Sequence, residues 1–358
     1  MSEGRRTVVL GPPWQPGEHE STQAGRADEV LPVVREAATR LVDDLDRAES
    51  LTGGWSDEPL AVALVDAALS QCLSRLAQTQ LWGEANRLPS GELWRIAGSL
   101  LEVGVLQHAA RFKPRGYAGD FEMLARICEG YRCEHPLGRA FDAFFLSQAA
   151  PQAVRSRTEQ TAGAIVSHCL ARPRGPYHVV SVGSGPALDV RRALALLPEG
   201  RRSDVRVTLL DLDPDALDFA RSQLEPLLPA GADAALCCTR TNLFRLPQKA
   251  DPGVALETPD FLVCTGLFDY LEDEPAATML RWLWEQLAPG GSLLVGNFAP
   301  HNPTRAYMEW IGNWYLIYRT VKEMRELAAR AGIPADQVTI GCERLGVDLF
   351  LAGRKRGA

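Results

Sequence analysis

The segment Val179-Val-Ser-Val-Gly183-Ser184-Gly185-Pro-Ala-Leu188-Asp189 holds the residues best suited to chemistry. An apolar run of strand length ends in Gly-x-Gly, and a helix is expected to open directly after it. Glycine suits such a loop because the backbone must turn sharply and approach a ligand closely. By itself the pattern also fits an ordinary strand-to-helix turn. Two features give it direction. A dinucleotide loop of the form Gly-x-Gly-x-x-Gly needs a third small residue, and Leu188 stands there instead. Asp189 then puts a carboxylate in the first helical turn, where it opposes a phosphate and can pair with an ammonium group. S-adenosylmethionine carries an amino group and no phosphate.

The next strand ends Leu209-Leu210-Asp211-Leu212-Asp213-Pro214. An acid at the tip of the second strand is where a carboxylate can accept both ribose hydroxyls, a role expected for Asp211 with Leu212 beside it. Asp213 reads as the N-cap of the following helix with Pro214 at its first position. After the third strand, Asn242 is placed to hydrogen-bond the adenine amino group with Leu243 against the ring; a plain turn is the alternative. After the fourth, Gly266 lets the backbone pass close to the methionine part of the cofactor, with Leu267 and Phe268 packed on it.

These residues need elements to hold them. From Glu29 to about 172 apolar residues recur at helical spacing, as in Leu31, Val34, Ala38, Leu41 and Leu45. From Tyr177 onward strand-length apolar runs alternate with helical segments, which implies a parallel sheet. The last two strands, Val338–Cys342 and Val347–Ala352, are joined by only Glu343-Arg-Leu-Gly346, too short for a parallel crossover, so they must pair antiparallel. The expected organisation is a loosely ordered stretch over 1–28, a helical cap domain over 29–150 and a cofactor-binding α/β domain over 151–358. A single helix is expected to run from Ser90 through Leu106.

A net charge of −7 disfavours a polyanionic partner such as nucleic acid. The eight cysteines are scattered and none forms Cys-x-x-Cys, so buried reduced thiols are expected rather than a zinc site or a disulfide framework. The histidines are dispersed and no metal site is suggested. No stretch reaches the roughly 18 apolar residues of a membrane span, and the N-terminus lacks a signal sequence, so a cytoplasmic protein is expected. A homodimer stays open.

Five strands with helical crossovers, a sixth after a helix and a seventh by hairpin form the layout of class I S-adenosylmethionine methyltransferases, which 177–354 resembles. The Asn/Asp-Pro-Pro-aromatic motif of nucleobase amino-methyltransferases is absent after the fourth strand, where Thr265-Gly266-Leu267-Phe268 stands. A narrower resemblance rests on Lys113-Pro-Arg-Gly-Tyr-Ala-Gly-Asp120, His135-Pro-Leu-Gly138, Ser181-Val-Gly-Ser-Gly-Pro186 and Asn313-Trp-Tyr-Leu-Ile-Tyr-Arg319. Over about 100–354 the chain resembles bacterial proteins named for making the extracellular factor 3-hydroxypalmitic acid methyl ester. That resemblance implies methylation of a fatty-acid carboxylate with S-adenosylmethionine as cofactor.

Acceptor residues are expected in two places. In the 113–120 turn, Arg115 and Tyr117 offer a charge and a phenol to the cofactor's carboxylate or to the acceptor; a connector with Arg115 paired to Asp120 is the alternative. After the fifth strand, Asn297 and Phe298 leave the sheet beside the expected methyl group. A helix is then expected to carry Trp310, Trp314 and Tyr318 as one aromatic face, either core or acceptor pocket. A carboxylate acceptor is already ionised near neutral pH and needs orienting donors, for which Arg115, Tyr117, Tyr318 and Arg319 are candidates. A hydroxyl acceptor would need a base, and His301 is the histidine placed to serve. The function expected is O-methylation of a small apolar acid. A natural-product O- or N-methyltransferase and a non-catalytic binding protein on the same fold are the alternatives.

Overall fold

A computed structural model describes residues 20–228, 235–248 and 256–357. The chain divides into two compact units: a helical one running to Pro151 with Pro303–Tyr315 added, and a sheet unit of Gln152–Asn302 and Leu316 onward. The return of 303–315 to the helical unit has no signal in the linear pattern. Of the stretch expected to be loosely ordered, residues 1–19 lie outside the described residues, and 20–28 are helical.

The helical unit contains α1 (Glu20–Leu51), α2 (Glu58–Ala77), α3 (Arg87–Leu101), α4 (Val105–Phe112), α5 (Phe121–Glu129) and α6 (Pro136–Ser147). Among the described residues one helix, α2, is long and apolar enough to cross a membrane by length and composition, a test that a buried core helix also passes. Its buried residues, among them Ala61, Val65, Leu69 and Leu76, form one stripe, and it packs on α1 and α6. The helix expected from Ser90 through Leu106 is two helices. A Cβ on Gly104 would stand 2.8 Å from Cβ of Phe141 on α6, and the buried Asp142 accepts the Leu106 N–H at 2.9 Å, capping a new helix start. The His-Pro-Leu-Gly motif is likewise a helix start. The His135 ring accepts the Gly138 N–H at 3.2 Å, Pro136 takes the first turn, and Gly138 has no room for a side chain beside Val103 O and the Cys133 sulfur.

The sheet unit opens with α7 (Ala149–Ala171, shared at its first turn with the helical unit). It continues β1 (Tyr177–Val182), α8 (Leu188–Leu196), α9 (Glu199–Arg202), β2 (Val205–Asp211), α10 (Pro214–Leu224), β3 (Leu236–Arg240) and β4 (Phe261–Cys264). Then come α11 (Asp273–Gln286), β5 (Ser292–Phe298), α12 (Val321–Arg330), β6 (Val338–Cys342) and β7 (Asp348–Arg354). The seven strands run in the order β3-β2-β1-β4-β5-β7-β6. The first five are mutually parallel; β7 runs antiparallel between β5 and β6, as the short 343–346 link required. β1 and β4 are buried along their whole length because helices cover both faces. Tyr177, Val179, Val205 and Val207 join residues of α7, α8 and α10 in one core. Val180, Val182, Leu262 and Val295 join α11 and α12 in the other.

The predicted aromatic helix does not form. A short π-helical segment, Tyr307–Ile311, ends at Gly312, and Asn313 takes φ 47°. Trp310 and Trp314 are buried in the helical unit, whereas Tyr318 belongs to the sheet unit, so the three do not share a helix face. The cysteines are all free; Cys72, Cys133, Cys169 and Cys264 are buried, but Cys237 and Cys342 are exposed, against expectation.

Candidate functional site

The carboxyl ends of β1, β2, β3 and β4 meet around the glycine loop. Gly183 and Gly185 have φ of 66° and 49°, the left-handed region that glycine enters without strain. The loop is tied to β2: Leu210 O accepts the Gly183 N–H at 2.8 Å and the Ser184 N–H at 3.2 Å. Asp211 Oδ2 accepts the Gly185 N–H at 2.8 Å, and its Oδ1 accepts the Asp213 N–H at 3.0 Å. Burial pushes the Asp211 carboxyl up, and the amides of Asp213, Gly185 and Leu212 pull it back. Asp213 caps α10 as expected, accepting the Asp215 N–H at 3.0 Å.

Three neighbours complete the cleft. A Cβ on Gly183 would meet Leu243 Cδ1 at 3.4 Å and Leu267 Cβ at 3.9 Å, so both leucines lie over the loop. The Ser184 hydroxyl is buried and has no hydrogen-bond partner. A buried hydroxyl is costly unless something satisfies it, and its position in a ligand-type loop makes a bound group the natural partner. Gly266 has ordinary φ and open space where its side chain would be. Neither backbone conformation nor packing requires glycine there. We expect Gly266→Val to leave the melting temperature within about 2 °C of wild type, since surface changes of this kind fall within roughly 0.5 kcal/mol, while weakening cofactor binding measured by calorimetry. Unchanged affinity would remove Gly266 from the site.

Asp189 lies in the first turn of α8, half-buried, with Oδ1 accepting the Val190 N–H at 2.8 Å. Burial raises its pKa, and the Arg157 charge acts the other way. Asn242 is exposed and its Oδ1 accepts the Phe244 N–H at 3.1 Å, so the turn reading of that residue is realised here.

Two acceptor assignments are corrected by the hydrogen bonds. Arg319 is 2 % exposed and all five of its N–H groups have protein acceptors. Nη1 donates to Phe268 O at 2.9 Å and Asn297 Oδ1 at 2.7 Å, Nη2 to Leu271 O at 2.5 Å and Asp273 Oδ1 at 3.1 Å, and Nε to Asp273 Oδ1 at 3.3 Å. Asn297 is fully buried, and its Nδ2 donates to Asp269 Oδ1 at 3.1 Å, Phe298 O at 3.0 Å and Ile317 O at 2.9 Å. Neither has a group left to present to a substrate. They clamp the segments after β4 and β5 to each other. Phe298 is buried, with the Arg157 guanidinium 6.0 Å from its ring centre.

The centre of this clamp is Asp269. It is buried, and its Oδ1 accepts the Phe298 N–H at 2.7 Å as well as the Asn297 amide. Asp348, also buried, accepts from Arg157 Nη1 at 2.9 Å and leaves Oδ1 without a partner. The one legible signal was an acid inside the apolar run Leu267-Phe268-Asp269-Tyr270-Leu271. Burial, and then the charge of Asp348, raise the pKa of Asp269; burial raises that of Asp348. A carboxyl whose folded pKa is raised binds more protons folded than unfolded, so its contribution to stability falls as pH climbs from the ordinary value, 3.8, toward neutrality. Asp269→Asn keeps both acceptor contacts and removes the titration. Wild type is therefore expected to lose stability relative to this variant between about pH 4 and pH 7, read as the difference in denaturation midpoints. A difference independent of pH would contradict the assignment.

His301 is exposed, with Nε2 beside Gly346 in the β6–β7 turn rather than buried in the cleft. Tyr318 is half-buried. In the helical unit, Arg115 pairs with Glu122 at 3.1 Å, and its guanidinium lies 4.6 Å from the Phe121 ring centre. Asp120 caps α5 by accepting the Met123 N–H at 2.9 Å, and the Arg115 charge also acts on its carboxyl. Tyr117 is half-buried in the same turn, between Gly116 and Gly119, both at positive φ.

No protein-family model matches the chain, and no curated protein matches its sequence. Solved structures do resemble it. A "possible exported protein" of Bordetella parapertussis aligns over 92% of this chain and 97% of its own, with a TM-score of 0.54 and 18% identity. The CurJ carbon methyltransferase aligns over 95% of this chain and 93% of its own, with a TM-score of 0.51 and 12% identity. Together with the strand order and the antiparallel β7, these likenesses give the chain the α/β class I methyltransferase fold.

Proposed function

We propose that the protein is an S-adenosylmethionine-dependent methyltransferase of small molecules, and that its acceptor is the carboxylate of a fatty or other apolar acid. The observation that carries the first part is the glycine loop: held to β2 by Asp211 and lidded by two leucines, it contains a buried, unpartnered Ser184 hydroxyl. The residues fit the cofactor group by group. Asp211 keeps a lone pair on each oxygen for ribose hydroxyls, and Leu243 and Leu267 offer apolar surface to adenine. Ser184 and the loop amides face the amino-acid part, with Asp189 for its ammonium, and Gly266 gives clearance. The cofactor supplies an electrophilic methyl group on a sulfonium centre.

The carboxylate acceptor is supported by the sequence resemblance to proteins that make 3-hydroxypalmitic acid methyl ester. It is also supported by the surface position of His301, since a carboxylate is ionised at neutral pH and needs alignment and desolvation rather than proton removal. The roles expected for Tyr117, Arg115, Trp314 and Tyr318 stand as proposals on the acceptor side.

Calorimetry with S-adenosylmethionine and S-adenosylhomocysteine tests the first part; absence of binding in the low-to-mid micromolar range would sink it. Transfer of labelled methyl to a fatty acid, with the label released by mild base as expected of an ester, tests the second. A base-stable product would point to a different small-molecule O- or N-acceptor. Cofactor binding without turnover on any acceptor would leave a binding protein.

A further inference from the structure

We propose that Arg111 and Lys113 form an oxyanion-binding subsite on the helical unit, built for the carboxylate or phosphate group of an organic anion. Both are half-buried, and among the described residues neither is ion-paired with a carboxylate. The protein's other half-buried or buried cations mostly have such partners: Arg157 with Asp348, Arg201 with Asp204, Arg305 with Glu309. Partly desolvated cations without counter-charges are costly, so a bound anion is their natural complement.

Each is held by protein acceptors and keeps at least one N–H over. Arg111 Nη1 donates to the buried Ser90 hydroxyl, which donates in turn to Trp310 O at 3.0 Å, and the guanidinium lies 5.2 Å from the Trp94 ring centre. The remaining N–H groups of this planar fork have no protein acceptor among the described residues, the form of donor that suits a carboxylate or phosphate. Lys113 Nζ donates to Asn313 O at 2.7 Å and Ala110 O at 3.2 Å, which leaves one N–H.

The backbone there is strained. Lys113 and Asn313 both have φ of 47°, a left-handed conformation that is unfavourable for a side-chain-bearing residue, and the two touch through the Lys113 ammonium. The same 303–315 segment holds two further unsatisfied buried atoms, Trp310 Nε1 and Asn313 Oδ1. Phe112, 53% exposed, meets Trp94 edge-on at 5.4 Å, and Leu88, 80% exposed, follows Arg87. This apolar surface beside the cations favours an anion with a hydrocarbon part.

Lys113 also titrates usefully. Burial first, then the charges of Arg111 on α4 and Arg87 on α3, push its pKa down to about 8, against a smaller opposing pull from Glu84; Tyr315 and Arg87 face Arg111. A lysine that loses its proton near pH 8 releases an anion there.

The test needs no cofactor, so it stands or falls apart from the methyltransferase reading. Inorganic phosphate and decanoate are titrated separately into the full chain by calorimetry. Binding of either near one per chain is expected, decanoate alone meaning a carboxylate with an apolar tail and phosphate alone a phosphate ligand. Arg111→Met and Lys113→Met should each weaken it by about tenfold or more, the size of one charge-assisted hydrogen bond. Arg35→Met, at an exposed pair with Glu92, should change nothing. Lys113→Arg keeps its charge, so its affinity should hold from pH 7 to 9 while that of wild type falls. Failure of both probes to bind wild type would overturn the proposal. So would binding indifferent to both methionine substitutions in variants whose circular dichroism remains native, or equal pH profiles for wild type and Lys113→Arg.

Discussion

Asp211→Asn is expected to weaken S-adenosylmethionine binding by roughly one to two orders of magnitude, the size of one lost charge-assisted contact at about 1.5–3 kcal/mol. The substitution is isosteric, which isolates the chemistry. In wild type the two carboxylate oxygens accept the Gly185 and Asp213 N–H groups at 2.8 and 3.0 Å. An amide can accept only one of them, and its own N–H₂ then faces the other as a like donor. The glycine loop loses its tie to β2 or the α10 start loses its tie to the strand tip, and the ribose loses a charged acceptor in either case. Calorimetry reads the affinity and thermal melting reads the fold, where a loss of about 1–2 kcal/mol would move the midpoint by several degrees at most. Full affinity in the variant would show that Asp211 does not hold the cofactor.

Arg319→Met is expected to destabilise the sheet unit by about 3–5 kcal/mol, the range for breaking a buried charge network from one side. Removing the guanidinium leaves the Phe268 and Leu271 carbonyls and the Asn297 amide oxygen without their donor in a site closed to water. Asp269 loses a neighbouring positive charge that favours its ionised form. Urea denaturation should show the loss as a lower midpoint, and Arg319→Lys should recover little, because an ammonium with three donors cannot span four acceptors in a plane. A substrate-orienting arginine would behave differently, with stability kept and the acceptor's KM raised. That pattern would restore the assignment that the sequence suggested.

The two variants mark what local order in the sequence carries and where it stops. Asp211 was legible at the tip of β2 because its place depends on local order: strand, acid, capping Asp213, Pro214. Asn297 and Arg319 were legible as polar residues, but not as partners of each other or of Asp269, since Arg319 lies 22 residues and Asp269 28 residues from Asn297. The tryptophans at 310 and 314 show a related failure. Helical spacing of aromatics is a necessary pattern for a helix face and not a sufficient one, and the left-handed Asn313 ends the helix between them.

The amino-acid sequence by itself determined the order of strands and helices, the antiparallel closing strand, the glycine loop and the acid that holds it. Each of these follows from short-range physics: side-chain periodicity, turn chemistry, capping and the reach of a four-residue link. Only the tertiary structure decided which polar groups are exhausted and which remain available. That depends on where distant donors and acceptors meet and on how much water burial removes. So the five donors of Arg319 are closed to a ligand, whereas the hydroxyl of Ser184, the guanidinium of Arg111 and the ammonium of Lys113 are left with hydrogen-bonding capacity that the described residues do not satisfy.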